Sequence, residues 1–264
     1  MKLLCFFSAN KKSRVKKKIT LYSVLFFLFV PALSSAGNFS VSPIRLNFDD
    51  GTKTGVVRVT NKGDESVTVQ LNTKKWTQNE SGADEYTETT DIVYFPKIVT
   101  IGREEERIIR VGYKGKTNVV SEKTYRLYLE ELPVIKPGEM ALKFALTIGL
   151  PIFISPAKEI KKTSLEKLAF SEGVLSVKVR NDGNRYINVG DITASGLDGK
   201  GREVFKTTGE GWYILAGSAK GFNVDIPEQD CQKAHKLDVT VEIEQSLLRG
   251  DLVLDKTQCA GNRQ

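Results

Sequence analysis

The stretch Ala141 to Pro156, ALKFALTIGLPIFISP, decides how this chain folds. Leu142, Phe144, Leu146, Ile148, Leu150 and Ile152 recur at every second position. In an extended strand that spacing puts all six on one face. Between them stand Lys143, Ala145, Thr147, Gly149 and Pro151, which are small, polar or unable to donate a backbone hydrogen bond. A strand buried on both faces would be apolar throughout, and a proline late in the run points to a strand edge or end. The pattern predicts a long strand over 141–155 with one apolar face and a free edge, a template for another chain unless it is blunted. On this stretch alone the blander reading is the stronger: the last strand of a sandwich, its apolar face in the domain's own core.

The text on either side is also written in short strands. Val56–Thr60 leads into the turn cluster Asn61-Lys62-Gly63-Asp64, and Ser66–Leu71 then alternates. Arg107–Val111 and Tyr125–Leu129 read the same way. Past Pro156 the style repeats, with Val174–Val179 running into Asn181-Asp182-Gly183-Asn184 and Asp238–Ile243 near the end. Many short strands separated by turn signals predict β-sandwiches, and no long stretch carries a helical period. The two halves resemble each other in the strand that enters an Asn-x-Gly turn, with a join at Ser155-Pro156-Ala157-Lys158. The expected fold class is all-β, in two domains.

Residues 1–36 read as a removable leader. Lys11, Lys12, Arg14, Lys16, Lys17 and Lys18 precede an apolar run from Leu21 to Leu33, and Ser34-Ser35-Ala36 suits cleavage after Ala36. The run is short for a bilayer span and is broken by Pro31, so no membrane insertion of the mature chain is expected. Of the 39 Lys and Arg in the chain the leader holds seven, which leaves 32 against 32 Asp and Glu. The high pI belongs to the leader, and nothing in the mature charge supports nucleic-acid binding. Cys5 leaves with the leader. Cys231 and Cys259 remain, an even count in an exported chain, and are expected to form a disulfide.

No catalytic, metal or cofactor signal stands out. His235 is the one histidine, in a polar, loop-like context, which suits neither a zinc site nor a Ser-His-Asp arrangement. Phosphate-loop and dinucleotide fingerprints are missing, and Glu104, Glu105 and Glu106 read as a solvated face.

Four stretches in order resemble the periplasmic chaperones of the chaperone–usher pathway, the PapD-like family. They are Phe39–Phe48 (FSVSPIRLNF), Phe95–Ile101 running on to Arg107–Val111, Tyr125–Pro133 (YRLYLEELP), and the 141–156 stretch. The match covers about 39–156; the second half agrees in length and β character. The resemblance implies two immunoglobulin-like domains in an L, over 37–156 and 157–264. It implies a periplasmic chaperone, not an enzyme, that lends a strand to pilus or fimbrial subunits and hands them to an outer-membrane usher. Leu142, Phe144, Leu146 and Ile148 would fill pockets in the subunit, which reverses the blander preference for those residues and leaves it for Leu150 and Ile152. Arg45 would hold the subunit's C-terminal carboxylate. The family's second basic anchor falls on Pro151, a departure that suggests a divergent, archaic-type branch. Arg110 and Glu131, with Glu244 as a guess, would form an interdomain bridge, and Pro96 would be cis. The competing readings are an exported Ig-like structural or adhesin protein, and a secreted hydrolase on a β-sandwich scaffold.

Overall fold

The computed structural model describes residues 39–133, 145–244 and 246–260. The leader, Leu142 and Phe144 lie outside the described residues. In chain order the first strands are β1 Phe39–Ser42, β2 Leu46–Phe48, β3 Thr54–Asn61, β4 Val67–Gln78, β5 Asp84–Glu88, β6 Ile92–Phe95, β7 Ile98–Ile101, β8 Glu106–Tyr113, β9 Lys123–Leu132 and β10 Thr147–Ile154. They make two sheets, ordered β1-β3-β8-β6 and β2-β10-β9-β4-β5, with β7 beside β4. The alternating side chains of the two sheets interdigitate as one core that includes Val57, Leu71, Ile109, Leu127, Leu129 and Ile152.

The second set is β11 Thr163–Ser171, β12 Val174–Asn181, β13 Ile187–Leu197, β14 Glu203–Glu210, β15 Tyr213–Ile214, β16 Ala219–Asp225, β17 Lys236–Ile243 and β18 Ser246–Val253. Its sheets run β11-β12-β16 and β14-β13-β17-β18, with β15 beside β13. Leu175, Val177, Val179, Ile192, Val239 and Val241 lie in its core. A single helical turn, α1 Glu228–Cys231, carries Cys231, which is bonded to Cys259 as the sequence predicts. His235 is exposed.

The two Asn-x-Gly turns do more than reverse the chain. Asn61 is buried, and its side-chain oxygen accepts from Gly63 N at 2.9 Å. Its Nδ2 donates to the carbonyls of Glu65, Ile101 and Gly102. Asn181 repeats the pattern, accepting from Gly183 N at 3.0 Å and donating to Arg185, Ile214 and Leu215. Each amide thus satisfies buried backbone groups that the turn would otherwise leave unpaired.

The sandwiches meet through side chains from both. Trp76, Phe153, Tyr186 and Leu215 form a third buried cluster, with Phe153 and Tyr186 stacked at 3.9 Å. Gln78 donates to Tyr213 O and accepts from Leu215 N, both at 2.9 Å. Gly82 sits where the β4–β5 turn touches β16: its φ is +81°, and a Cβ there would meet Ala219 O at 2.5 Å, so both conformation and space demand glycine.

Candidate functional site

The site is built around β10. It pairs with β9 antiparallel over Thr147–Ile154, but with β2 only at Ile152, Phe153 and Ile154, in parallel. Among the described residues its first half therefore pairs on one side only. Glu131 N donates to Leu146 O at 2.9 Å, which sets the alternation. The backbone groups of Ile148 and Leu150 point to β9, and those of Thr147, Gly149 and Pro151 point the other way. Ser155 N, of the same parity, donates to Phe48 O at the end of β2, in agreement. Pro151 thus costs no ladder bond, because its missing N–H faces the side away from β9. This is why a proline is tolerated inside the strand.

The even residues enter the core progressively. Leu146 is 39% exposed, Ile148 is half-buried against the first core, and Leu150 is 1% exposed. Ile152 and Ile154 are fully buried. Leu150 and Ile152 pack at home, as expected. Leu146, one of the expected pocket-filling residues, ends on the surface, and Ile148 stands between the two conditions.

Arg45 lies just before β2, one position ahead of Leu46, which is opposite Ile152. Continuing that register by one residue sets Arg45 beside Pro151. The arginine is exposed, and its Nη1 donates to the Tyr186 hydroxyl at 3.4 Å. Burial raises the Tyr186 phenol above its ordinary value, against the pull of Arg45 and Arg185. Arg45, Tyr186, Arg185, Glu159, Lys161 and Glu244 are among the residues lining a cleft of about 540 Å³.

On the other flank of Pro151, directly opposite it on β9, is Arg126. It is only 8% exposed. Its guanidinium lies 4.1 Å from the Trp76 ring centroid and 5.6 Å from that of Trp212. Nη1 reaches across Gly149 to donate to that residue's carbonyl at 3.1 Å, on the open side of β10. A Cβ at Gly149 would stand 3.2 Å from Tyr128 Cε1 and in ordinary contact, at 3.5 Å, with the arginine Cδ. Nε and Nη2 are buried with no hydrogen-bond partner among the described residues. Composition could not single out Arg126. The only signal was one charge inside YRLYL, and its significance needed the pairing with Pro151.

The expected bridge of Arg110, Glu131 and Glu244 is not formed among the described residues. Arg110 is exposed on β8, in the other sheet of the sandwich from Glu131, and lines an outer groove with Val56 and Val93. Glu131 accepts from Leu146 N at 3.3 Å, and Glu244 faces Lys161 at 3.8 Å. An arginine between two acids does join the sandwiches, but it is Arg185 with Glu159 at 3.1 Å and Glu122 at 3.8 Å. The Glu122 side chain is fully enclosed and accepts from Tyr186 N at 2.8 Å. Burial pushes its carboxyl up to about 7, although the Tyr186 N–H and Arg185 pull it down. Register explains the substitution: Glu122 immediately precedes β9 and enters the turn after Asn181, where Glu122 N also donates to Asn184 O. The Phe95–Pro96 bond is cis, as expected, and so is Ser42–Pro43.

No helix of the described residues is long and apolar enough to cross a membrane, and among them no cluster of potential metal ligands occurs. Residues 38–159 match the family model described as pili and flagellar-assembly chaperone, PapD N-terminal domain. That segment belongs to the PapD-like assembly chaperones. Another chaperone, HifB of Haemophilus influenzae, is 22% identical over 188 residues, covering 67% of this chain and 76% of its own. Similar solved structures include a chain of the CsuC–CsuE chaperone–tip adhesion subunit pre-assembly complex, from the archaic Csu pili of Acinetobacter baumannii. It gives a TM-score of 0.57 at 18% identity, over 80% of this chain and 98% of that one. The YadV chaperone gives 0.53 at 16% identity, over 83% and 100%. At these identities the structural likeness carries the two-sandwich fold of the PapD-like chaperones, not the roles of individual residues.

Proposed function

We propose that this chain is a periplasmic assembly chaperone that captures pilus or fimbrial subunits by strand addition and passes them to an outer-membrane usher. Residues 1–36 are the cleaved leader in this reading, 37–156 the subunit-binding domain and 157–264 the second domain. The observation that carries it is the first half of β10, paired on one side, free of charged residues and graded from exposed Leu146 to buried Leu150. An extended segment of a subunit can take main-chain hydrogen bonds from that open side, while Leu146 and Ile148 enter its core. Leu142 and Phe144 continue the same period in the sequence. Each buried side chain of this kind contributes roughly 1.5–3 kcal/mol. Arg45 is the seat for the subunit's terminal carboxylate, since its fork suits a planar anion.

Leu146→Arg is the test, because that residue is already at the surface and its loss should leave the sandwich intact. The mature protein is purified with its subunit from the periplasm, for wild type and variant. A one-to-one partner lost with Leu146→Arg, at an unchanged melting temperature, supports strand donation. A partner retained in full removes it.

A further inference from the structure

We infer that Lys256 is the positioning residue for the Cys231–Cys259 disulfide: its ammonium docks the turn that carries Cys259 onto the end of α1 and brings the two thiols together before the bond closes. The inference concerns the second sandwich and does not rest on strand addition. Three observations carry it.

First, Lys256 Nζ donates to three carbonyls: Cys231 O at 2.9 Å, Gln232 O at 2.8 Å, and Ala234 O. An ammonium has three N–H donors, so its capacity is used in full. The acceptors lie at and just past the end of α1, where the last carbonyls of a helix lack partners of their own. Second, Lys256 precedes Cys259 by three residues, and one of its acceptors belongs to Cys231 itself. Gln232 Nε2 returns a bond to Lys256 O at 3.3 Å. These contacts tie together the same two segments that the disulfide joins, without using either sulfur. Third, the rest of the turn is also held by groups other than sulfur. Leu254 is buried, and its N–H donates to His235 O at 2.9 Å. Gly173 N donates to Gln258 O at 2.8 Å. Asp255 Oδ1 accepts from Thr257 N at 2.9 Å, which shapes the 3-10 turn Lys256–Gln258 that runs into Cys259. A docked turn with two free thiols is therefore a defined state of the chain.

From that state the bond closes by thiol–disulfide exchange with a small disulfide oxidant. The thiolate of one cysteine attacks a sulfur of the oxidant, forms a mixed disulfide and releases half of the oxidant as a thiol. The thiolate of the second cysteine attacks the first cysteine's sulfur, forms the Cys231–Cys259 bond and expels the other half. Two electrons pass from the protein to the oxidant, and the two thiol protons pass to the two thiols released. Docking and closure occupy one state, so each favours the other by the same factor.

The folded mature protein is equilibrated with mixtures of reduced and oxidised glutathione, and the bonded fraction is read by mass after the free thiols are blocked. The midpoint gives the effective concentration of the thiol pair. In Lys256→Met, which keeps an unbranched stem and removes the charge, that value should fall about tenfold or more. Lys233→Met is the control for charge, since Lys233 stands just past α1 and pairs with Asp230 at 2.9 Å; it should leave the value where it is. A second reading needs no thiols. In the protein carrying Cys231→Ser and Cys259→Ser, the Leu254 and Gly173 amides should stay protected from hydrogen exchange, and adding Lys256→Met should remove about tenfold of that protection. An unchanged effective concentration in folded Lys256→Met overturns the inference, as does an equal fall in Lys233→Met. Loss of protection at both amides in the serine protein that keeps Lys256 overturns it too, because the disulfide alone would then hold the turn.

Discussion

Strands β10 and β18 each close a sandwich, and they treat their outer sides differently. β18 pairs with β17 along its whole length, from Ser246 to Val253, and no strand pairs with its other side among the described residues. That open side is blunted by Arg249 and Asp251, and the strand is followed by buried Leu254 and by Cys259, bonded to Cys231. Charges on an edge strand disfavour pairing with another chain. β10 has no charge from Thr147 to Ile154, and its inner end is held on both sides by β2 and β9. The core of the first sandwich thus fixes one end of the strand and leaves the other half uncharged and, among the described residues, unpaired on one side. Under the proposed function, the uncharged edge is the one to which a partner strand is added.

The contrast between the two ends of β10 is the largest to test. Ile152→Ala should cost about 2–5 kcal/mol of stability in denaturant unfolding, as deletions at sealed core sites do. Leu146→Ala should cost less than about 1 kcal/mol, because that side chain is partly in water already. Equal losses would mean that the strand is not graded. Closure of the second sandwich comes next. Replacing Cys231 and Cys259 by serine should remove about 3–4 kcal/mol, the chain-entropy value for a loop spanning 28 residues. The loss should appear in thermal melts and should leave subunit capture unchanged below the new transition.

The junction should respond to pH. Glu122 titrates near 7 when folded, against 4.5 for the free group. A raised carboxylate value means that the folded state holds its proton more tightly, so this contribution is fully present below 4.5 and is lost as pH rises through 7. Glu122→Gln keeps the acceptor for Tyr186 N and removes the charge. It should match the wild type at pH 4.5 and exceed it at pH 8, by about 3 kcal/mol at most. Melting curves at both values decide the matter, and a constant difference would assign Glu122 no role in the pH response. The smallest change in stability should come from copying the β18 device onto β10. Thr147→Lys puts a charge at an exposed edge position, so stability should move by less than about 0.5 kcal/mol while subunit capture falls sharply. Undiminished capture would show that edge charge does not separate the two strands.

Much of the fold was legible because period-two patterning is local. Val56–Thr60, Arg107–Val111, Tyr125–Leu129 and Asp238–Ile243 all fall within observed strands. The Asn-x-Gly turns were readable as turns, but not as buried plugs, because the carbonyls that Asn61 and Asn181 bind come partly from strands 40 and 33 residues away. The bridge assigned to Arg110, Glu131 and Glu244 went astray for a related reason. Sequence spacing does not say which of two sheets a residue belongs to, and Arg110 lies in the other one from Glu131. Glu122 was overlooked because a single acid before a strand has no pattern of its own.

By itself, the sequence determined the two all-β halves, the alternating face of 142–152, the paired cysteines and the fact that Pro151 cannot be an anchor. Each follows from residue chemistry and a two-residue period. Only the tertiary structure decided where β10 passes from open to sealed, which side Pro151 turns its missing N–H toward, and that Arg126 stands opposite that proline. These are matters of register between strands far apart in the chain, and register is set by the packing of the assembled core, not by any one segment.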